Sequence, residues 1–223
     1  MGGLIPLSDA SRRPLNMPVV TPCIIVVNVI VFLLELVRGD TFVMAWSAVP
    51  AQIVSGHHWI TILTAMFMHG SWSHIIGNMI FLWAFGPEIE DAMGRGRYLV
   101  FYLLGGFVAM LAQVAADPHS TVPNLGASGA IAAVMGAYFR FYPFARVETL
   151  VPPFFFGPTF VLPAVLFLGV WFLLQFFNGA MSLGARGQGF SGVAWWAHVG
   201  GFAFGFVICL FARRERVPPR IEL

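Results

Sequence analysis

A serine, two histidines and an asparagine stand in contexts that hydrolytic chemistry can use. Ser128 follows Gly126 and Ala127 and precedes Gly129, and His198 opens the run HVGGFAFG. His74 and Asn78 lie four residues apart in HGSWSHIIGNMIFLWAFG, hence on one face of a helix. A serine hydroxyl is a weak nucleophile until a base within hydrogen-bond reach takes its proton, and histidine is the commonest such base near neutral pH. Ser128 and His198 fit those roles. The oxyanion formed on attack needs donors, and a serine at a helix start has unpaired backbone N–H groups and the positive end of the helix dipole beside it. The side chains of His74 and Asn78 offer two more donors. No acid stands at the matching depth in these stretches, so a Ser-His dyad is expected rather than a triad, with Asp117 and Glu35 as the acids to check.

The elements that position these groups are built for lipid. The chain of 223 residues is 58% hydrophobic and 10% charged, against about 25% charged for a soluble domain. All 12 basic residues are arginine and the formal net charge is +2, too small to suggest a nucleic-acid partner. Cys23 and Cys209 sit in apolar runs without metal-ligand or CxxC spacing, so both are expected to be buried apolar groups. His57 and His58 read as a solvated loop pair, and no metal site is expected. No removable leader is read ahead of the first apolar run, where Arg12 and Arg13 are followed by Pro14 and Pro18.

Six stretches meet or approach the roughly 20 apolar residues that a crossing needs. They run from about Val19 to Val37, Ile60 to Phe85, Tyr98 to Ala115, Ala127 to Tyr142, Thr159 to Phe177 and Val193 to Ala212, and none alternates with a period of two. The expected fold is an all-α polytopic membrane protein, a six-helix bundle forming a single domain over residues 1–223. An even number of crossings puts both termini on one side. With that side cytoplasmic, ten arginines fall inside and two, Arg38 and Arg186, outside, as the positive-inside rule asks. The segment from Arg38 to Trp59 has apolar patches too short to span and no assigned fold; Asn178 to Gly192 is Gly-rich and reads as a mobile cover or a flexible linker.

Polar side chains inside a spanning helix are costly and usually face the bundle interior. Counted at about 1.5 Å per residue from charged cytoplasmic markers, His198 lies roughly 22 Å from Arg213 and Ser128 roughly 18 Å from Arg140, with His74 and Asn78 roughly 21 and 15 Å from Glu88. All four share one layer below the outer surface. The fourth helix then starts inside the membrane, and Asp117 to Leu125 must dip to reach it, which non-helical backbone tolerates only against protein or a water-filled cavity. Small residues at helical spacing, Ser128, Ala132 and Gly136 on one helix and His198, Gly201 and Gly205 on another, let two backbones approach closely. GxSG also occurs at the nucleophile elbow of soluble hydrolases, but that motif requires a preceding strand and a surrounding sheet, and neither is read here.

HGxxxHxxxNM on the second helix, GxSG opening the fourth and AHxGGxxxG on the sixth stand in that order, and on these motifs the chain resembles the rhomboid family from about Trp59 to Gly205. The resemblance implies a six-transmembrane-helix rhomboid bundle that acts as an intramembrane serine endopeptidase, hydrolysing peptide bonds in or next to transmembrane segments of other membrane proteins. It implies Ser128 and His198 as the dyad, and His74, Asn78 and the Ser128 amide as the oxyanion hole. Gly126, Gly129, Gly201 and Gly205 are expected as helix-packing positions, and no cofactor is expected. Glu90 and Gly94 match the family's ExxxG after the second helix, and His69 matches a family histidine; all three are read as structural. Two departures stand out. Ala132 replaces the aromatic residue that many relatives place against the base's ring, and WITILT replaces a segment in which many carry an arginine. Transmembrane protein substrates and the lipid bilayer are the expected partners, and a bacterial cell (inner) membrane the expected setting. The alternative is a catalytically silent rhomboid-like binder or chaperone of membrane segments, against which the retention of Ser128, His198, His74 and Asn78 argues. A transporter should show discontinuous helices and repeat symmetry, which are not found.

Overall fold

The computed structural model describes residues 5–11, 13–150, 159–184 and 193–212. Strand β1 (Ile5–Asp9) precedes helix α1 (Val20–Arg38), which is followed by three short helices, α2 (Asp40–Trp46), α3 (Pro50–Val54) and α4 (Thr61–Thr64), and a single 3₁₀ turn (Ala65–Phe67). Then come α5 (Trp72–Met93), α6 (Arg95–Ala116), α7 (Ser128–Phe141), strands β2 (Arg146–Leu150) and β3 (Phe160–Pro163), α8 (Ala164–Gly184) and α9 (Trp195–Phe211). Among the described residues, α1, α6 and α8 are long and apolar enough to cross a membrane, and α9 is a shorter apolar helix. This is an integral membrane protein.

Local chemistry sets the helix boundaries. The second apolar stretch is not one helix from Ile60. It breaks at Met68, whose backbone is extended, and α5 begins only after Ser71, whose hydroxyl accepts the N–H of His74 at 3.2 Å and caps the helix. It then runs past Phe85, through Pro87, to Met93. Gly94 at φ +77° permits the reversal into α6. The carboxylates at the end of α5 organise the chain before α1: Glu90, 2% exposed, accepts the N–H groups of Val19, Val20 and Thr21 at 2.7–2.9 Å, and Asp91 accepts those of Leu15 and Asn16. Three of the orphan donors at the start of α1 are thus met by one charged acceptor, each such bond contributing about 1.5–3 kcal/mol.

The structure is not purely helical. Strands β1, β2 and β3 form an antiparallel sheet in that spatial order, with Val147 opposite Asp9 and Leu162. It lies at the C-terminal end of α7, where the Tyr138 hydroxyl donates to the Asp9 carboxylate. The expected fifth helix accordingly starts at Ala164 rather than Thr159, because Phe160–Pro163 is strand; N–H groups of Ala164 and Val165 bond to Ala145 and Pro143. It continues to Gly184, so the expected loop from Asn178 is helical for its first seven residues. The remainder of that loop lies outside the described residues, as do Arg12, Arg186 and the arginines from Arg213 to Arg220 used in the orientation tally. Cys209 is buried, but Cys23 is exposed on α1.

The most extensive helix packing joins α7 to α9, with α6 against both. A methyl group added to Gly201 would overlap the Gly129 carbonyl oxygen, one on Gly205 would overlap the Ala133 carbonyl, and one on Gly136 the Phe202 carbonyl. The two backbones touch because glycine stands on one side of each of these contacts.

Candidate active site

Ser128 is the first residue of α7, and the chain that delivers it is non-helical from Asp117 to Ala127. That backbone is satisfied by protein. Ala48 and Asn124 exchange two hydrogen bonds, Ala51 donates to Ser120, and Gly126 donates to the carbonyl of Ala65 at 2.8 Å. The segment from Arg38 to Trp59, unassigned from sequence, therefore supplies part of the wall against which this stretch lies. Gly126 has φ +133°, and a Cβ there would sit 2.9 Å from Cε1 and Nε2 of His74 and 3.6 Å from the Ser128 hydroxyl. A side chain at this position would fill the small volume that the His74 ring edge and the Ser128 hydroxyl both face.

His198 lies one turn into α9 and is 3% exposed. The start of α9 is anchored from α6: Gln113 Oε1 accepts the N–H groups of Trp196 and Ala197 at 3.2 and 3.3 Å. The His198 Nε2 is 2.8 Å from the Ser128 Oγ, and its Nδ1 is 2.8 Å from Gln175 Oε1 on α8. The ring is flanked by Trp171 (centroids 5.7 Å apart, 41° between planes) and by Trp195, edge on at 6.2 Å. The aromatic neighbours of the imidazole therefore come from α8 and α9, while α7 carries Ala132 one turn beyond Ser128. An imidazole nitrogen at this distance from a serine hydroxyl can take its proton, and the N–H groups of the first turn of α7 have no intrahelical acceptors.

On α5, His74 is half-buried and Asn78 is 1% exposed. The Asn78 amide nitrogen lies 2.9 Å from Nε2 of His69, whose ring packs edge on to His74 at 5.1 Å. His69 is in turn held through its backbone N–H, which Glu35 accepts with both carboxylate oxygens at 3.1 and 3.2 Å. Glu35 thus braces the break before α5 and does not approach His198. Asp117 ends α6. His57 and His58 are exposed, with His57 Nδ1 3.2 Å from the Ser55 hydroxyl.

A sequence model of the Rhomboid domain matches residues 56–215, well over half of the chain. The protein belongs to the rhomboid family. This rhomboid is 33% identical over 109 residues to the rhomboid protease GluP of Bacillus subtilis, covering 48% of this chain and 21% of that protein. It is 32% identical over 171 residues to the human presenilin-associated rhomboid-like mitochondrial protein, covering 72% and 44% of the two chains. It is 28% identical over 200 residues to the rhomboid protease GlpG of Pectobacterium atrosepticum, covering 90% and 65%. The chain therefore spans less than half the length of the first two relatives and about two thirds of the third.

Sequence reasoning missed Gln175, Trp171 and Gln113. The signal for Gln175 was present: an amide within VWFLLQFF is as costly in a spanning helix as His198, and the rule that singled out the histidine applies equally to it. The group behind His198 is a neutral acceptor, not either of the acids Asp117 and Glu35.

Proposed function

We propose that this rhomboid is an intramembrane serine endopeptidase that hydrolyses peptide bonds within or beside the membrane-spanning segments of other proteins. The observation that carries the reading is the 2.8 Å contact between Ser128 Oγ and His198 Nε2 at the N-terminus of a helix that begins on a non-helical segment. In the proposed reaction, Nε2 takes the Ser128 proton as Oγ attacks the scissile carbonyl, and the imidazolium then protonates the departing amine. A water activated by the same nitrogen hydrolyses the acyl-serine. The oxyanion is placed against the Ser128 amide and the side chains of His74 and Asn78, a layout consistent with the His74 ring edge and the Ser128 hydroxyl facing one volume across Gly126. For Asn78 to donate there, its amide turns so that Oδ1 accepts Nε2–H of His69 and the NH₂ group is released.

The topology belongs to the same proposal: six crossings by α1, α5, α6, α7, α8 and α9, a single domain, and both termini on the cytoplasmic side of a bacterial inner membrane, with the sheet on that side and Ser128 toward the other. The names of two relatives, both called rhomboid proteases, and the positive-inside bias support it. The test is cleavage of a single-span substrate by the purified protein in liposomes. Ser128→Ala should abolish cleavage, and cleavage at the wild-type rate would overturn the proposal.

A further inference from the structure

The base in this site has, besides Ser128, a second hydrogen-bonding partner that carries no charge. Gln175 is 8% exposed, and its two amide ends are committed to different neighbours. Its Nε2 lies 3.3 Å from the carbonyl oxygen of Trp171, one turn earlier on α8, and its Oε1 lies 2.8 Å from Nδ1 of His198. Exchanging the two ends would set Oε1 against a backbone carbonyl, oxygen facing oxygen with no hydrogen between. The Trp171 carbonyl therefore fixes which end of the amide faces the imidazole.

That orientation decides the tautomer of His198. An amide oxygen only accepts, so Nδ1 must carry the ring's proton in the neutral imidazole, and Nε2 is left with its lone pair directed at the Ser128 hydroxyl. From these contacts we infer that Gln175 is a positioning residue for the proposed hydrolysis, holding His198 in the one tautomer and rotamer in which it can act as the base. The inference rests on the proposed function above and deepens it. The arrangement has the logic of a serine triad with an amide in place of the carboxylate. A carboxylate at this depth would bring a second charge into a membrane-embedded site, whereas an amide performs the orienting task without that cost. Trp171 serves twice, its carbonyl orienting Gln175 and its indole flanking the ring that Gln175 holds. The base sits on α9, yet its side chain is set from α8.

Two isosteric variants separate positioning from packing. In the liposome assay, Gln175→Met keeps the volume and removes the acceptor, whereas Gln175→Glu in its uncharged carboxyl form, the form that burial favours, keeps the volume, a C=O acceptor for Nδ1–H and an O–H donor for the Trp171 carbonyl. Gln175→Met should lower kcat by roughly tenfold to a hundredfold, a part of what a positioned base contributes, with KM unchanged. Gln175→Glu should recover most of that loss. Equal activity of Gln175→Met and wild type, or equal losses in both variants, would overturn the inference. Ser128→Ala runs alongside: if it still cleaves at the wild-type rate, the hydrolytic reading itself fails, and if it is inactive while Gln175→Met is unimpaired, this inference alone fails. A measurement on the unmutated chain avoids dependence on folding of the variants. Nitrogen-15 histidine spectra in bilayers, with His198 assigned by difference against His198→Ala, should show a protonated Nδ1 and an unprotonated Nε2. The opposite tautomer would overturn the inference.

Discussion

The two sides from which His198 is held differ in kind. Toward α7, beyond the Ser128 hydroxyl, the closest approach is made by backbone: Gly201 lies against the Gly129 carbonyl and Gly205 against that of Ala133, so the separation of the two helices is set by peptide groups. Toward α8, contact is made by side chains. Trp171 and Gln175 reach the imidazole from a helix whose other face, Leu166, Val170, Leu173, Leu174 and Phe177, is exposed at helical spacing. The first arrangement fixes where His198 stands relative to Ser128, and the second fixes how its ring is turned. Position and orientation are thereby governed by separate parts of the sequence, and substitutions should separate them.

The largest effect is expected in the seam. Gly205→Val would drive a branched side chain into the Ala133 carbonyl, with strain at or above the roughly 1–3 kcal/mol typical of overpacking. Thermal unfolding in detergent should show a clear loss of stability, together with loss of cleavage. A Gly205→Val protein as stable as wild type would mean that the backbones are not in contact. The intermediate effect is that of Gln175→Met, which leaves the buried Nδ1–H without its acceptor and should lower the melting temperature less than Gly205→Val does, while kcat falls. A loss of stability as large as that of Gly205→Val would make α8 a packing element like α9 and erase the distinction. The smallest is expected from Leu174→Ala, one residue from Gln175 on the outward face. Its stability change should stay within about 0.5 kcal/mol with kcat unaltered.

What could be read beforehand divides along the same line. The seam was visible in the sequence because small residues at helical spacing admit few uses other than close approach, and the apolar stretch from about Ala127 to Tyr142 bracketed α7 to within a residue at each end. Glu90 matched a family position, but its task was not legible: the three N–H groups that it accepts belong to residues about 70 positions earlier. The sheet escaped for a related reason. Its strands are four or five residues long, too short for alternation to register, and β1 pairs with a partner some 140 positions away. The break before α5 was hidden in a run apolar enough to pass as one helix, although His69, Gly70 and Ser71 supply the polar group, the small residue and the cap that end one element and start another. Gln175 could have been found by asking which polar group in the fifth apolar stretch has a reason to be there.

Most directly at issue is whether the Ser128 hydroxyl is activated by His198. Reaction of the bilayer-embedded protein with a fluorophosphonate, followed by mass spectrometry of the adduct, tests this without a natural substrate. The adduct should form on Ser128 in the wild type and disappear in His198→Ala. An adduct on another residue, or labelling of Ser128 that persists undiminished in His198→Ala, would contradict the account.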